Sequence, residues 1–359
     1  MDESYFIILN PDNPLGNLTS IPLCKRGRAC EGAEGDFCVP ATLKSPLAPL
    51  FQRGECVVIA RIRSNGLSGL KHAIFFCLLL YCAASQATTP FTVTDASGTQ
   101  VVFATPPQRI ISLAPNLTEL AYAAGMGRHM VAVTAYSDYP QQAKQLPQVG
   151  DAFRLDWERL VALKPDLVLA WGSGLSSRDR ATFEKLKLKV LVLEPRRLDD
   201  IPKVLRLLGR IAGNETVAEA AAYAFLQQLD ALRRQYAGHT KVRAYFQIAA
   251  APLLTVNGAH IISDVLSLCG AQNVFATAPL LTPAISDEAL IKENPQVLLA
   301  LAATHEQEEE TKKIWRNLPL IAVRQGRMAF IHPDLISRST PRILLGAKRI
   351  CEQVESARH

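Results

Sequence analysis

The stretch NETVAEAAAYAFLQQLDALRRQYAG, residues 214–238, decides the architecture. Ala218, Ala222, Phe225, Leu229, Leu232 and Tyr236 recur at alternating steps of four and three, which keeps them on one stripe of a 3.6-residue helix. Asn214, with Glu215 behind it, fits the N-terminal turn, where a side-chain oxygen meets free N–H groups; Gly238 fits the left-handed residue past the end. At 1.5 Å of rise per residue the helix is about 35 Å long, the width of a small domain, so it can span two lobes and hold their separation.

The sequence repeats on either side of that helix. LDWERLVALKPDLVLA (residues 155–170) precedes it and ISDEALIKENPQVLLA (residues 285–300) follows it. Each block opens on an N-cap residue, Asp156 or Ser286, and puts Glu158 or Glu288 in the first turn. Each then runs a short apolar-faced helix to a proline and enters a wholly apolar strand. Similar units before and after a spanning helix predict an α/β fold: two Rossmann-like lobes joined by a single long backbone helix, with a ligand cleft between them. The expected division is 88–213 for the first lobe, 214–238 for the linking helix and 239–359 for the second lobe.

Length and composition agree. The chain has 359 residues, 48% of them hydrophobic, enough for two cores, and its formal charge of +6 leaves no nucleic-acid footprint. Residues 1–70 differ from the rest: they are rich in Pro, Gly and Cys, and Cys24, Cys30, Cys38 and Cys56 match no zinc spacing. They read as an upstream extension that follows from a start assigned too early. Lys71 and His72 then precede an apolar run from Ala73 to Ala84, followed by Ser85-Gln86-Ala87. That run is too short to stay in a bilayer, and it predicts a signal peptide over 71–87, cut after Ala87, with export to the periplasm. Beyond it only Cys269 and Cys351 remain. In an oxidising compartment an isolated pair reads most simply as one disulfide, with about 4 kcal/mol of loop entropy behind it; two separate buried thiols are the alternative.

Alternation around Ser97-Gly98 predicts a hairpin from Phe91 to Phe103. Buried strands are expected at Arg109–Leu113, Val131–Val133, Asp166–Trp171 and Val190–Leu193 in the first lobe. In the second they are expected at Val242–Ile248, Val297–Leu301 and Met328–Ile331, with helices between them. Ligands in such sheets bind beyond the C-terminal strand ends. The informative loops there are Ala114–Leu117, Ala135–Pro140, Trp171–Gly174 and Gln247–Gly258. Aromatic residues at strand ends gain little from solvent, so Tyr136 and Trp171 are expected to stack on a large planar ligand, whereas Tyr139 fits packing against Pro140 and its own lobe.

Gly172-Ser173-Gly174 lacks the lysine of a phosphate-binding loop and reads as a strand-to-helix turn. His305-Glu306 lacks the second histidine of a zinc protease, and His129, His239, His260 and His332 show no ligand spacing. No catalytic pair, metal site or cofactor is expected, so the chain reads as a non-enzyme, with a metal-dependent periplasmic enzyme using the cleft as the alternative from another class. Glu158 and Glu288, one acid per lobe at matching positions, suit docking to a two-fold partner with paired basic residues.

Several segments resemble the binding proteins for siderophores, haem and corrinoids, and among them the periplasmic vitamin B12-binding proteins that feed an ABC-type importer. They are Arg109-Ile110-Ile111-Ser112-Leu113-Ala114-Pro115, Tyr136-Ser137-Asp138-Tyr139-Pro140, Leu163-Lys164-Pro165-Asp166 through Ala170-Trp171, and Ser339-Thr340-Pro341-Arg342-Ile343-Leu344. The likeness runs from about residue 109 to 354. It implies a monomer that carries cobalamin as transported ligand in the cleft, with an ABC importer permease dimer as partner; haem or a ferric siderophore is the alternative cargo. It places Pro115, Asn116, Tyr136 and Trp171 on the first lobe's side of the ligand, and Asp334 and Arg338 on the second's. It also puts the family's docking acids on Glu158 and Glu288 and its disulfide on Cys269 and Cys351. This chain departs from the B12-binding relatives at Ala152, Leu254 and Thr282, where they carry aromatic residues.

Overall fold

The computed structural model describes residues 90–359 and, upstream of them, four short strands at Tyr5–Phe6, Ile21–Pro22, Leu50–Gln52 and Glu55–Val57. The expected signal peptide and, apart from those strands, the expected upstream extension lie outside the described residues.

The first lobe opens with the expected hairpin, β1 (Phe91–Thr94) and β2 (Gln100–Phe103), turning at Gly98 with a φ of 84°. The Asp95 carboxylate fixes its tip by accepting from the backbone N–H groups of Ser97, Thr99 and Val192. There follow β3 (Ile110–Ser112), α1 (Pro115–Ala123), β4 (Met130–Val133), α2 (Trp157–Ala162), β5 (Leu167–Trp171), α3 (Ser177–Lys185), β6 (Val190–Leu193) and α4 (Asp200–Ala212). The four strands β3 to β6 pair in parallel in the order β6-β5-β3-β4. Helix α1 starts at Pro115, because a proline at the first helical position gives up an N–H that would be unpaired there anyway.

Helix α5 (Glu215–Tyr236) then crosses to the second lobe. That lobe runs through β7 (Val242–Gln247), a small antiparallel pair β8 (Ala249–Ala250) and β9 (Leu253–Leu254), α6 (Ile261–Leu268), β10 (Ala271–Asn273) and α7 (Asp287–Glu293). It continues with β11 (Val297–Leu301), α8 (His305–Arg316), α9 (Ile321–Arg324), β12 (Met328–Ile331) and α10 (Ile343–Ser356). Its parallel sheet has the order β10-β7-β11-β12. Counted within each lobe, both sheets read 2-1-3-4, so the duplicated blocks sit in duplicated topologies. Strand β10 was not expected, since Ala271-Gln272-Asn273 has no apolar run; it holds the sheet edge by backbone pairing with β7.

The repeat extends to individual hydrogen bonds. Asp156 accepts from the Arg159 N–H at 3.0 Å, and Ser286 from the Ala289 N–H at 3.3 Å. Each short helix is followed by a left-handed residue directly before proline, Lys164 at φ 46° and Asn294 at φ 39°. The residue after the proline pins the lobe's first strand: Asp166 accepts from the Arg109 N–H at 2.9 Å, and Gln296 accepts from the Arg243 N–H at 2.9 Å. An arginine side chain then returns to a carbonyl at the helix end, Arg109 to Leu163 at 2.8 Å and Arg243 to Glu293 at 2.7 Å.

Of the stripe that predicted α5, Ala218, Ala222, Phe225, Leu229 and Tyr236 are buried and Leu232 is half-buried. The helix packs on α1 and α4 in the first lobe and on α6 and α10 in the second. One core therefore runs from the first sheet through α5 to the second, while the sheets stay separate. Asn214 does not cap α5 as expected: its side-chain amide donates instead to the Gly125 carbonyl at 2.8 Å, tying the helix start to the end of α1. Cys269 and Cys351 are joined as a disulfide between the end of α6 and the middle of α10. Among the described residues no helix is long and apolar enough to cross a membrane.

The seam between α4 and α5 is closest at Gly209, where an added Cβ would stand 2.2 Å from the Ala218 Cβ. Alanine gains about 1 kcal/mol over glycine in helix propensity, whereas overpacking a rigid contact costs roughly 1–3 kcal/mol. We expect Gly209→Ala to destabilise the protein by up to about 2 kcal/mol, read from the midpoint of denaturant unfolding; a gain in stability would show that the seam can open.

Candidate functional site

A cavity of about 340 Å³ lies between the lobes. From the first lobe it is walled by Pro115, Asn116, Trp171, Glu194 and Arg196, residues that follow or end β3, β5 and β6. From the second it is walled by His260, Leu281 and the segment from Ser337 to Ser339. It thus sits past the C-terminal ends of the first sheet's strands, where that sheet's order reverses between β3 and β5.

Four of the six expected ligand residues, Pro115, Asn116, Trp171 and Arg338, line this cavity. Tyr136 and Asp334 do not line it, but both contact Arg338: the Tyr136 carbonyl accepts from its guanidinium at 3.2 Å and the Asp334 carboxylate lies at 2.7 Å. The same guanidinium donates to Asp138 at 2.8 Å and to Glu119 at 2.9 Å. Glu119, on α1 and with 2% of its side chain exposed, also accepts from Arg342 at 2.9 Å. Residues of α1 and the loop after β4 are thereby bound to the segment before α10, so the cleft is bordered by an ionic network that joins the lobes.

The network holds its charges. Burial alone would raise the Asp138 carboxyl, but the hydrogen bond and charge of Arg338 carry it below the ordinary range. Burial opposes the charged form of Arg338 too, and its hydrogen bonds to Asp138 and Glu119 reverse that. Arg342 is raised by its hydrogen bond to Glu119. Its guanidinium also lies 4.0 Å from the Tyr139 ring centroid, which corrects the expectation that Tyr139 packs only against its own lobe.

Tyr136 is 78% exposed and has a φ of 64°, a conformation that bulky side chains avoid. Its loop is tied to the next one by the Ala135 N–H donating to the Gly150 carbonyl at 2.8 Å, and that neighbouring loop presents Phe153, 98% exposed. Across the cleft Leu280 and Leu281 are also exposed. Gln247, where one informative loop was expected to begin, turns inward instead: its side-chain carbonyl accepts from the Trp315 indole N–H at 2.9 Å. Gly172-Ser173-Gly174 forms the expected turn, with Ser173 donating to Glu194, which in turn accepts from Arg196 at 3.2 Å.

Glu158 and Glu288 are exposed in the first turns of α2 and α7. A hydrogen bond from Ser286, with one from its own backbone N–H, holds the Glu288 carboxyl below the ordinary range. Among the described residues, no group of three or more His, Cys, Asp or Glu side chains is placed to hold a metal.

Reasoning from sequence missed Glu119, Arg342, Glu194, Arg196 and His260. Glu194 and Arg196 follow β6, so the rule applied to the other strand ends would have found them. Glu119 had a subtler signal, an acid flanked on α1 by the buried Leu117 and Leu120. Its partners are 219 and 223 residues away, which no local pattern reveals.

The family model described as periplasmic binding protein matches residues 110–335. A vitamin B12-binding protein from Pectobacterium carotovorum subsp. carotovorum is 38% identical over 250 residues, covering 69% of this chain and 88% of that protein. One from Vibrio cholerae is 34% identical over 283 residues, covering 78% and 96%. The crystal structure of the periplasmic vitamin B12 binding protein of Vibrio cholerae superposes with a TM-score of 0.65 at 34% identity, covering 70% of this chain and 98% of that one. A periplasmic haem-binding protein from Pseudomonas aeruginosa superposes at 0.61 and 25% identity, covering 69% and 92%.

Removing one partner of a buried ion pair leaves the other uncompensated, at a cost of about 3–5 kcal/mol, whereas exposed pairs are worth less than about 1 kcal/mol. Glu119→Gln keeps the shape but deprives two arginines of their shared countercharge, and should lower the unfolding free energy by about 3 kcal/mol. Asp138→Asn, at the exposed edge of the network, should cost under about 1 kcal/mol. Denaturant unfolding of both variants checks this; equal losses would mean that the network is not centred on Glu119.

Proposed function

Because this chain belongs to the periplasmic binding protein family, we propose that it captures vitamin B12, cobalamin, in the interlobe cleft and delivers it to the permease dimer of an ABC-type importer. The observation that carries this reading is Tyr136, a bulky side chain held in the left-handed region and left exposed beside a cleft that contains Trp171. Such backbone strain costs about 1–3 kcal/mol, and an aromatic ring facing water returns none of it. A flat ligand covering Tyr136 and Trp171 returns it by stacking.

Around that aromatic pair, Pro115 and Asn116 face the ligand from the first lobe, and Asp334 and Arg338 meet its amide-rich periphery from the second. The four contacts of Arg338 use its two terminal nitrogens, so among the described residues its Nε–H is left for a ligand carbonyl. The names and identities of the relatives from Pectobacterium and Vibrio support cobalamin as the cargo. The pattern from Lys71 to Ala87 supports export. We assign the chain no catalysis and no cofactor, and read it as a monomer. Haem or a ferric siderophore is the second reading, favoured by the haem-binding structural neighbour and by Ala152, Leu254 and Thr282 standing where aromatics are expected.

Titration of residues 88–359 with cyanocobalamin tests the cargo. Wild type should bind, and Trp171→Ala should bind at least several-fold more weakly in calorimetry; unchanged affinity would take Trp171 out of the site. Capture of a haem-coloured species in preference to cobalamin would favour the second reading.

Delivery calls for a surface that a two-fold partner can read. We place it on Glu158 and Glu288, exposed acids at equivalent positions of the two lobes. Reversing both charges should abolish cobalamin uptake by cells while leaving calorimetric binding intact. Uptake that persists would remove both residues from docking.

A further inference from the structure

We propose that His260 is a specificity-determining contact of the cleft: a hydrogen-bond donor of fixed tautomer for an oxygen acceptor on the edge of the cargo, barred from ligating a metal at the cargo's centre. The inference rests on the corrinoid reading above and names a contact within that site.

His260 walls the cavity from the second lobe and is the N-cap of α6. Its Nδ1 accepts the Ile262 backbone N–H at 3.1 Å, so the lone pair of Nδ1 is taken and a neutral ring must carry its proton on Nε2. The ring is neutral at pH 7, because burial pushes it down to about 4. His260 is half-buried on the cavity wall, and among the described residues its Nε2 has no hydrogen-bond partner, so that N–H is left to a ligand in the cleft.

Flipping the ring would set a C–H in place of Nδ1 against the Ile262 N–H and lose the cap. The His260 N–H donates to the Asn257 carbonyl at 3.2 Å, and the His260 carbonyl accepts from Ser263 at 2.9 Å. One turn further on, Asp264 accepts from the Leu198 N–H at 2.8 Å, fastening α6 to the loop that carries Glu194 and Arg196 on the opposite lobe. Ligating a metal through Nε2 would require the proton to move to Nδ1, where it would face the Ile262 N–H and destroy the cap. The acceptor that suits this donor is an oxygen at the ligand's rim, an amide carbonyl or a phosphate oxygen, both of which a cobalamin carries.

His260→Ser keeps a capping oxygen and removes the donor; His260→Thr does the same should the serine variant fail to fold. Wild type and variant are titrated with cyanocobalamin and with dicyanocobinamide, which lacks the phosphate-bearing arm. The visible spectrum of aquocobalamin, whose axial water exchanges, is recorded on binding to wild type. We expect that spectrum to stay that of the water-ligated form, and the variant to bind cyanocobalamin about three- to tenfold more weakly. An equal loss with cobinamide identifies an amide carbonyl as the acceptor; a loss confined to cobalamin identifies the phosphate. Equal affinities of wild type and variant would overturn the proposal, as would a spectral shift to nitrogen ligation that the variant lacks. Failure of wild type to bind any corrinoid would sink the carrier reading itself.

Discussion

A single carboxylate, that of Glu119, is shut away from solvent between two guanidinium groups supplied by the other half of the chain. Such an arrangement holds only if the halves come together in one register, since either partner alone would be a charge stranded in a poorly solvated place. The disposition of the cleft follows from it. Arg338 is held where it can hold Asp138 and the Tyr136 carbonyl in turn, and the loop that presents the Tyr136 ring is thereby anchored from across the gap.

The apolar counterpart of that polar clamp is α5. Its stripe of buried side chains joins the two halves into one core without fusing their sheets, and Gly209 lets α4 approach it closely. The disulfide adds a tie of a different kind, confined to the second lobe, where it binds α6 to α10. The wall that carries His260 and the segment that carries Arg338 therefore belong to elements that are covalently linked or adjoining in sequence, which limits how far one can drift from the other.

What was legible in the sequence was periodic or repeated. The four-three spacing from Ala218 to Tyr236 revealed the spanning helix, and the echo of residues 155–170 in 285–300 revealed two lobes of one design. Caps at Asp156 and Ser286 behaved as their chemistry predicts, because the interaction is local. Asn214 did not: its amide found a partner on α1, and a tertiary contact outweighed a local propensity. Strand β10 was invisible for the same reason in reverse, since its backbone pairs at a sheet edge without any apolar signature. Within the cleft, Pro115, Asn116, Trp171 and Arg338 were legible through strand ends and family likeness. Glu119, Arg342 and His260 owe their roles to long-range packing, and no local pattern names the partners of Glu119, 219 and 223 residues away.

The matching places of Glu158 and Glu288 have a mechanical consequence. Each stands at the start of a short helix whose far end is riveted to its own sheet by the paired arginine and post-proline contacts, so a pull on either carboxylate is passed to a whole lobe rather than absorbed by a loop. Two such handles on bodies that share one slender axle make a torsion device: a gripping partner that alters the distance between its own hands would wring the slot and loosen its contents.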